Sequence, residues 1–131
     1  MRRAFRLPSS DEAFLNSTGR EWETLSEGGL PWLLLHEFPV PSGYSQSMVT
    51  AALVIAPGYP DTQIDMVYFS PGLSRQDGKT INALSPQQLD GKPFQRWSRH
   101  RTTQNPWRPG IDDIPSHLEL VRHWLEREFL R

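Results

Sequence analysis

The sequence predicts an α+β fold, and three observations carry that reading. Strand-like apolar runs follow one another with short connections between residues 21 and 69, an amphipathic stretch with a capping signal closes the chain, and a shorter capped stretch opens it. At 131 residues the chain has the size of one domain with one core, so residues 1–131 are read as a single domain packed over about 7–129. Twelve prolines and nine glycines cut it into short pieces, with no internal repeat and no low-complexity tract.

The elements follow in order. Leu7-Pro8-Ser9-Ser10-Asp11-Glu12 offers a serine cap at Ser9, a glutamate three residues later and an apolar residue ahead of it, which predicts a short helix through Phe14 and Leu15 ended by Gly19. Glu21-Trp22-Glu23-Thr24-Leu25 alternates weakly as a strand, and residues 32–38 suit a strand buried on much of both faces and stopped by Pro39 and Pro41. Residues 48–56 make a third strand and Asp65-Met66-Val67-Tyr68-Phe69 a fourth, with the turn Pro57-Gly58-Tyr59-Pro60 between them. Connections this short predict a four-stranded antiparallel meander. From Ser70 to Gly110 no period stands out, so these roughly 40 residues are expected to form an irregular flap that carries function. Asp112 or Asp113 then caps a final helix with Pro115 in its first turn. Its stripe Ile114, Leu118, Val121 and Leu125, widened by Leu120 and Trp124, should pack on the sheet.

Composition removes several function classes. No apolar run approaches the roughly 18 residues of a membrane span, so no membrane role is expected. Met1-Arg2-Arg3-Ala4-Phe5 has neither the apolar stretch nor the cleavage site of a secretory signal, which makes a cytoplasmic location the expectation. The chain has no cysteine, which excludes disulfides, thiolate metal sites and thiol nucleophiles. The net charge of -1 hides an asymmetry: residues 91–110 hold Lys92, Arg96, Arg99, Arg101 and Arg108 and no acid, whereas the remaining nine basic and fifteen acidic residues leave a net -6.

The order helix, meander, Tyr-Pro turn, flap and tryptophan-containing loop ahead of a helix resembles the ubiquitin-conjugating (UBC/RWD-like) fold. More closely, Pro57-Gly58-Tyr59-Pro60-Asp61, Asp65-Met66-Val67-Tyr68-Phe69, Arg96-Trp97-Ser98-Arg99-His100-Arg101 and Asn105-Pro106-Trp107-Arg108-Pro109-Gly110 are similar to its prokaryotic branch, family E. The resemblance implies a bacterial pathway with a ubiquitin-like protein, an activating enzyme and a metal-dependent isopeptidase as companions. It also implies a flap cysteine that carries the ubiquitin-like protein as a thioester. Here Gly78-Lys79-Thr80-Ile81-Asn82-Ala83-Leu84 stands in that segment, and the cysteine's place falls at Asn82 or Ala83, neither of which can form a thioester.

The residues themselves leave two readings open for the basic block. Arg96, Arg99, Arg101 and Arg108 are read either as a solvated surface loop around a core-pinned Trp97, or as a surface for an acidic partner or the tail of a ubiquitin-like protein, since arginine binds carboxylates bidentately. Arginine beside tryptophan also fits nucleic acid, although a net charge near zero weakens that reading. His100 inside the block is a candidate general base in its neutral form. Ser70, Ser74, Ser85 and Ser98 are candidate hydroxyls for it, without a Gly-x-Ser-x-Gly elbow to support them. His117 and His123 lie six apart on different helix faces and His36 sits in a strand, so no metal and no cofactor is expected. Trp107 with Pro106 and Pro109 is expected to fix the flap against the last helix.

Three functions follow as expectations. The first is a cysteine-less conjugating-enzyme relative that binds the ubiquitin-like protein or the activating enzyme without a covalent bond. The second is a cysteine-independent transferase or hydrolase using His100 with the arginine cluster. The third is a nucleic-acid-binding module built on Trp97 and the arginines around it.

Overall fold

The computed structural model describes residues 1–131. Helix α1 (Ser9–Ser17) precedes strands β1 (Trp22–Glu27), β2 (Leu30–Pro39), β3 (Met48–Val54) and β4 (Val67–Ser70). Strands β5 (Leu84–Leu89) and β6 (Lys92–Trp97) follow, then helix α2 (Ile114–Arg127) and a 3₁₀ turn over Glu128–Leu130. The first four strands form the expected antiparallel meander. The strand count does not follow the expectation: the sheet has six strands, in the order β1-β2-β3-β4-β6-β5, because part of the presumed irregular flap is a hairpin.

The hairpin hides in the sequence because Pro86, Gln87 and Gln88 in β5 and Pro93 in β6 are poor strand formers. Pro86 sits on an edge strand, and Pro93 lies beyond the last β4 pairing partner, Gln95, so neither proline breaks the sheet interior. The readable signal is Asp90-Gly91, both at positive φ, the two-residue turn that joins strands of matching twist. Arg96 and Trp97 therefore belong to a strand and not to a surface loop.

Both sheet faces are packed. The larger cluster, on the helix side, gathers Leu33, Leu53, Val67, Phe69 and Trp97 against Leu15 of α1 and Ile114, Val121, Trp124 and Leu125 of α2. The second, on the opposite face, is Leu25, Trp32, Leu34, Ala52, Tyr68, Leu89 and Phe94. No helix covers this second cluster; the sheet curls over it until the β5–β6 turn meets β1. There the Asp90 N–H donates to Glu27 (3.0 Å), and Arg2 bridges Glu23 (2.9 Å) and Asp90 (2.7 Å). Arg2 first, and His36 as well, hold the Glu23 carboxyl down at about 2.

The helix ends differ in how they start. Ser9 is the first helical residue and not the cap: Pro8 occupies the cap without a side-chain bond, and Glu12 reaches back to the Leu7 N–H (3.0 Å) and to Arg6. Helix α2 follows the expectation, with Asp113 accepting from the Ser116 N–H (3.0 Å) while Ser116 Oγ accepts from the Asp113 N–H (2.9 Å).

Two buried polar links tie these parts together. The Tyr59 hydroxyl donates to Asp11 of α1 (2.7 Å) and accepts from the Ile114 N–H at the start of α2 (2.7 Å). The Tyr59–Pro60 bond is cis, and the Trp107 indole N–H donates to the Pro60 carbonyl (2.9 Å), so Trp107 packs on this turn as well as against the helix-side cluster. His117, fully buried on α2, meets the Met66 carbonyl through Nε2 (2.9 Å) and the Arg101 guanidinium through Nδ1 (3.3 Å).

Tyr59→Phe should lower the unfolding free energy by about 1–3 kcal/mol, because it strips a partner from both the Asp11 carboxyl and the Ile114 N–H; urea unfolding measures this. His117 supplies a pH-dependent test. Burial pushes its imidazole down to about 4, so between the ordinary histidine value of about 6.5 and 4 the unfolded chain takes up a proton that the folded chain refuses. Stability should fall as pH is lowered through that window, by about 3 kcal/mol from this group, and a His117→Gln variant should lack that component of the slope in urea unfolding from pH 7 to 4.

Candidate functional site

Where the chain leaves β6, residues 98–100 run between two flanking stretches. Trp97 is in register with Val67 of β4 on one side and Leu84 of β5 on the other, so the residues beyond it inherit a neighbour on each side. On the β5 side the Ser98 N–H donates to the Ala83 carbonyl (3.1 Å) and Arg99 Nη1 donates to the Asn82 carbonyl (3.0 Å). On the β4 side the His100 Nδ1 lies 2.9 Å and 3.1 Å from the two oxygens of Asp65. Strand spacing puts the flanks roughly 10 Å apart across this segment.

Asn82 and Ala83 are both exposed, and Ala83 has φ +60°, a left-handed conformation that a residue with a Cβ adopts at a cost of about 1–2 kcal/mol. The two stand where the resemblance puts a thioester cysteine. His100 is also exposed. A carboxylate at Asp65 can only accept, so Nδ1 is the donor of this pair, and in the neutral form of the ring Nε2 is then the acceptor. No serine hydroxyl bonds His100: Ser70 Oγ donates instead to the Pro93 carbonyl (2.8 Å), and Ser85 Oγ is buried without a partner.

The arginines divide. Arg99 stacks on Trp97 (4.8 Å) and reaches the buried Glu128 (3.3 Å). Arg101, 5% exposed, lies over Trp107 (4.7 Å) and faces Asp112 (3.7 Å), which also accepts from the Arg108 backbone (2.7 Å) and guanidinium (3.4 Å). Burial pushes the Asp112 carboxyl up, but the Arg108 N–H, the Arg108 guanidinium and the Ser116 hydroxyl outweigh it and hold the group below the usual carboxylate range. Arg99, Arg101 and Arg108 are thus gathered with Trp97 on the helix side, their charge met by acids of the same chain. Arg96 lies on the other face, between Tyr68 and Ser85.

The remaining histidines are engaged elsewhere or exposed: His36 bonds Glu23 (2.7 Å) and His123 faces solvent. No group of three or more His, Asp or Glu side chains is arranged to hold a metal ion. No local signal in the sequence marks Asp65, Asp112 and Glu128 as partners of these side chains. Asp65 was legible only as the start of a strand, and Glu128, just past a helix end, gave no signal that a half-turn would bury it.

A family model described as prokaryotic E2 family E matches residues 7–128. No curated protein and no solved structure matches the chain. The match takes in α1, all six strands and α2, and with them both flanks of the segment that carries His100. The chain therefore belongs to prokaryotic E2 family E.

Proposed function

We propose that this chain is a ubiquitin-conjugating-like protein that serves a bacterial ubiquitin-like pathway as a non-covalent partner, docking the ubiquitin-like protein or its activating enzyme in the cytoplasm. The carrying observation is the exposed Asn82-Ala83 stretch. It is presented to solvent and held by Ser98 and Arg99, and it is the stretch to which the resemblance assigns a thioester cysteine, yet neither side chain can form a thioester, and the chain has no cysteine elsewhere. No helix is long and apolar enough to cross a membrane, in keeping with a partner in solution.

A second reading rests on the His100–Asp65 pair. Asp65 orients the ring, and Nε2 is free to take a proton from water or an amine attacking an acyl group, which would make the protein a cysteine-independent transferase or hydrolase. The nucleic-acid reading draws no such support, because Arg99, Arg101 and Arg108 already face Glu128 and Asp112.

The test mixes the protein with the ubiquitin-like protein, its activating enzyme and ATP, then runs denaturing gels with and without reductant and hydroxylamine beside a native binding assay. The expected result is a complex at micromolar concentration without an adduct for the wild type, and a reductant-sensitive adduct for Ala83→Cys. Failure to bind either pathway protein overturns the docking reading. An adduct on the wild type that resists reductant favours the second reading instead. In that case His100→Ala should lower turnover by about 10²-fold or more, and Asp65→Asn should lower it too, with the melting temperature nearly unchanged.

A further inference from the structure

We propose that Arg96, Tyr68 and Ser85 form a carboxylate-binding site on the sheet face opposite the helices, one pleat away from the Asn82-Ala83 stretch. The three residues are one row of the sheet. Arg96 of β6 is in register with Tyr68 of β4 and with Ser85 of β5. Phe94 belongs to the cluster on the far face and Trp97 to the cluster on the helix side, so strand alternation turns Arg96 to the far face with Phe94.

Two observations mark this row as a site and not as packing alone. The first is that Arg96 Nε and Ser85 Oγ are both buried and both lack a hydrogen-bond partner, although their residues are cross-strand neighbours. The Ser85 hydroxyl oxygen could accept from the Arg96 Nε–H, yet no bond joins them, and each is costly to leave buried and unpaired; one outside acceptor bonded by both satisfies both. The second concerns charge. Arg99, Arg101 and Arg108 each face a carboxylate of this chain, whereas Arg96 has none within 4 Å, and it sits beside Tyr68 and Phe94 in a partly apolar setting. An unneutralised guanidinium in such surroundings favours an anion.

The donor set selects the anion. The guanidinium offers a planar fork, which fits a carboxylate through two parallel bonds. Burial raises the Tyr68 hydroxyl above its usual value, with Arg96 pulling against it, so at neutral pH it is a protonated donor. The fork and the two flanking hydroxyls together match the lone pairs of one carboxylate.

Position gives the site its meaning. Ser85 follows Ala83 by two residues and Arg96 precedes Ser98 by two, and Ser98 is the residue whose N–H holds the Ala83 carbonyl. Two residues of strand span roughly 7 Å. A chain whose last carboxylate sits on Arg96 ends beside Ala83. The identity of that chain, the tail of the ubiquitin-like protein held without a thioester, rests on the docking reading above; the carboxylate chemistry does not.

The experiment follows the Arg96 Nε–H resonance of the full protein by NMR while titrating N-acetyl-diglycine, its C-terminal amide, N-acetyl-aspartate amide and inorganic phosphate. A saturable shift with the carboxylates, absent with the amide and with phosphate, is expected. Tighter binding of N-acetyl-diglycine identifies a chain terminus as the source, and tighter binding of N-acetyl-aspartate amide an acidic side chain. On backbone amide shifts, Arg96→Gln should abolish the binding. Arg96→Lys should weaken it about tenfold by losing the fork, and Ser85→Ala should weaken it by a smaller factor. Absence of a saturable shift, equal response to the amide or phosphate, or unchanged affinity in both Arg96→Gln and Ser85→Ala overturns the site; two variants guard against one that fails to fold. Carboxylate binding without any complex with the pathway proteins sinks the docking reading and leaves the site standing, and the opposite pattern does the reverse.

Discussion

The rest of the molecule is arranged around the placement of Trp97. It is fully buried, meets Phe69 edge-on at 5.6 Å and Tyr44 at 6.1 Å, and donates its indole N–H to Gln95 Oε1 (2.9 Å). Gln95 in turn accepts from the Leu73 N–H (2.8 Å) and donates to the Leu73 carbonyl (3.0 Å), so the segment after β4 is pinned by the same pair of side chains. A one-residue slip in register turns every side chain of a strand to the wrong face and a two-residue slip carries Trp97 out of its site, so a side chain of this size cannot be displaced along β6 without emptying the core. Fixing Trp97 fixes β6 between β4 and β5, and that in turn fixes what residues 98–100 meet on either side.

A basic stretch of sequence is not in itself a basic surface. Residues 91–110 carry five cations and no acid, yet three of them, Arg99, Arg101 and Arg108, are met by Asp112 and Glu128, which flank the two ends of α2. Both acids are buried, and so are most of the Arg99 and Arg101 side chains. Such pairs are weak evidence for stability, because desolvation offsets much of the attraction, but losing one partner leaves a buried charge that nothing compensates. Their consequence here is geometric: Arg101, held by Asp112 and stacked on Trp107, fixes the chain just past His100, while His117 grips the Met66 carbonyl just past Asp65. The exposed pair is thus supported from behind by a buried network joining the same two segments.

How much of this was legible follows from physical signals of different range. The meander and α2 were readable because their cues are local: alternation, turn prolines and glycines, the Asp113 cap and the 3.6-residue stripe. The β5–β6 hairpin is hidden, because two prolines and two glutamines mask its propensity, although Asp90-Gly91 marks the turn. Of the site, the sequence order put Asn82-Ala83 and residues 96–101 in one region, but which face each arginine takes depends on strand parity. Without knowing that β6 is a strand, Arg96 and Arg99 look equivalent; with it, they fall on opposite sides of the sheet. Asp65 is beyond any local signal, since its pairing with His100 is made by a register between segments 35 residues apart.

The same parity limits how a tail could be recognised near Ala83. Strand β5 is an edge of the sheet, and an edge is the usual place for an extended chain to add itself by backbone pairing. Pro86 removes a donor from that edge, and a proline in such a position turns its nitrogen toward solvent, so continued pairing along β5 is interrupted at the residue next to Ser85. Ala83, already in a left-handed conformation, breaks the strand geometry on the other side. An incoming chain therefore has little backbone ladder to follow, and its hold must come from side chains. On this flank the side chain with spare binding capacity is Arg96, because its nearest basic neighbours are spent on Glu128 and Asp112. On the docking reading, a chain with no thiol at Ala83 and no uninterrupted edge beside it is left with charge and hydrogen bonding as the means of holding a carboxylate there.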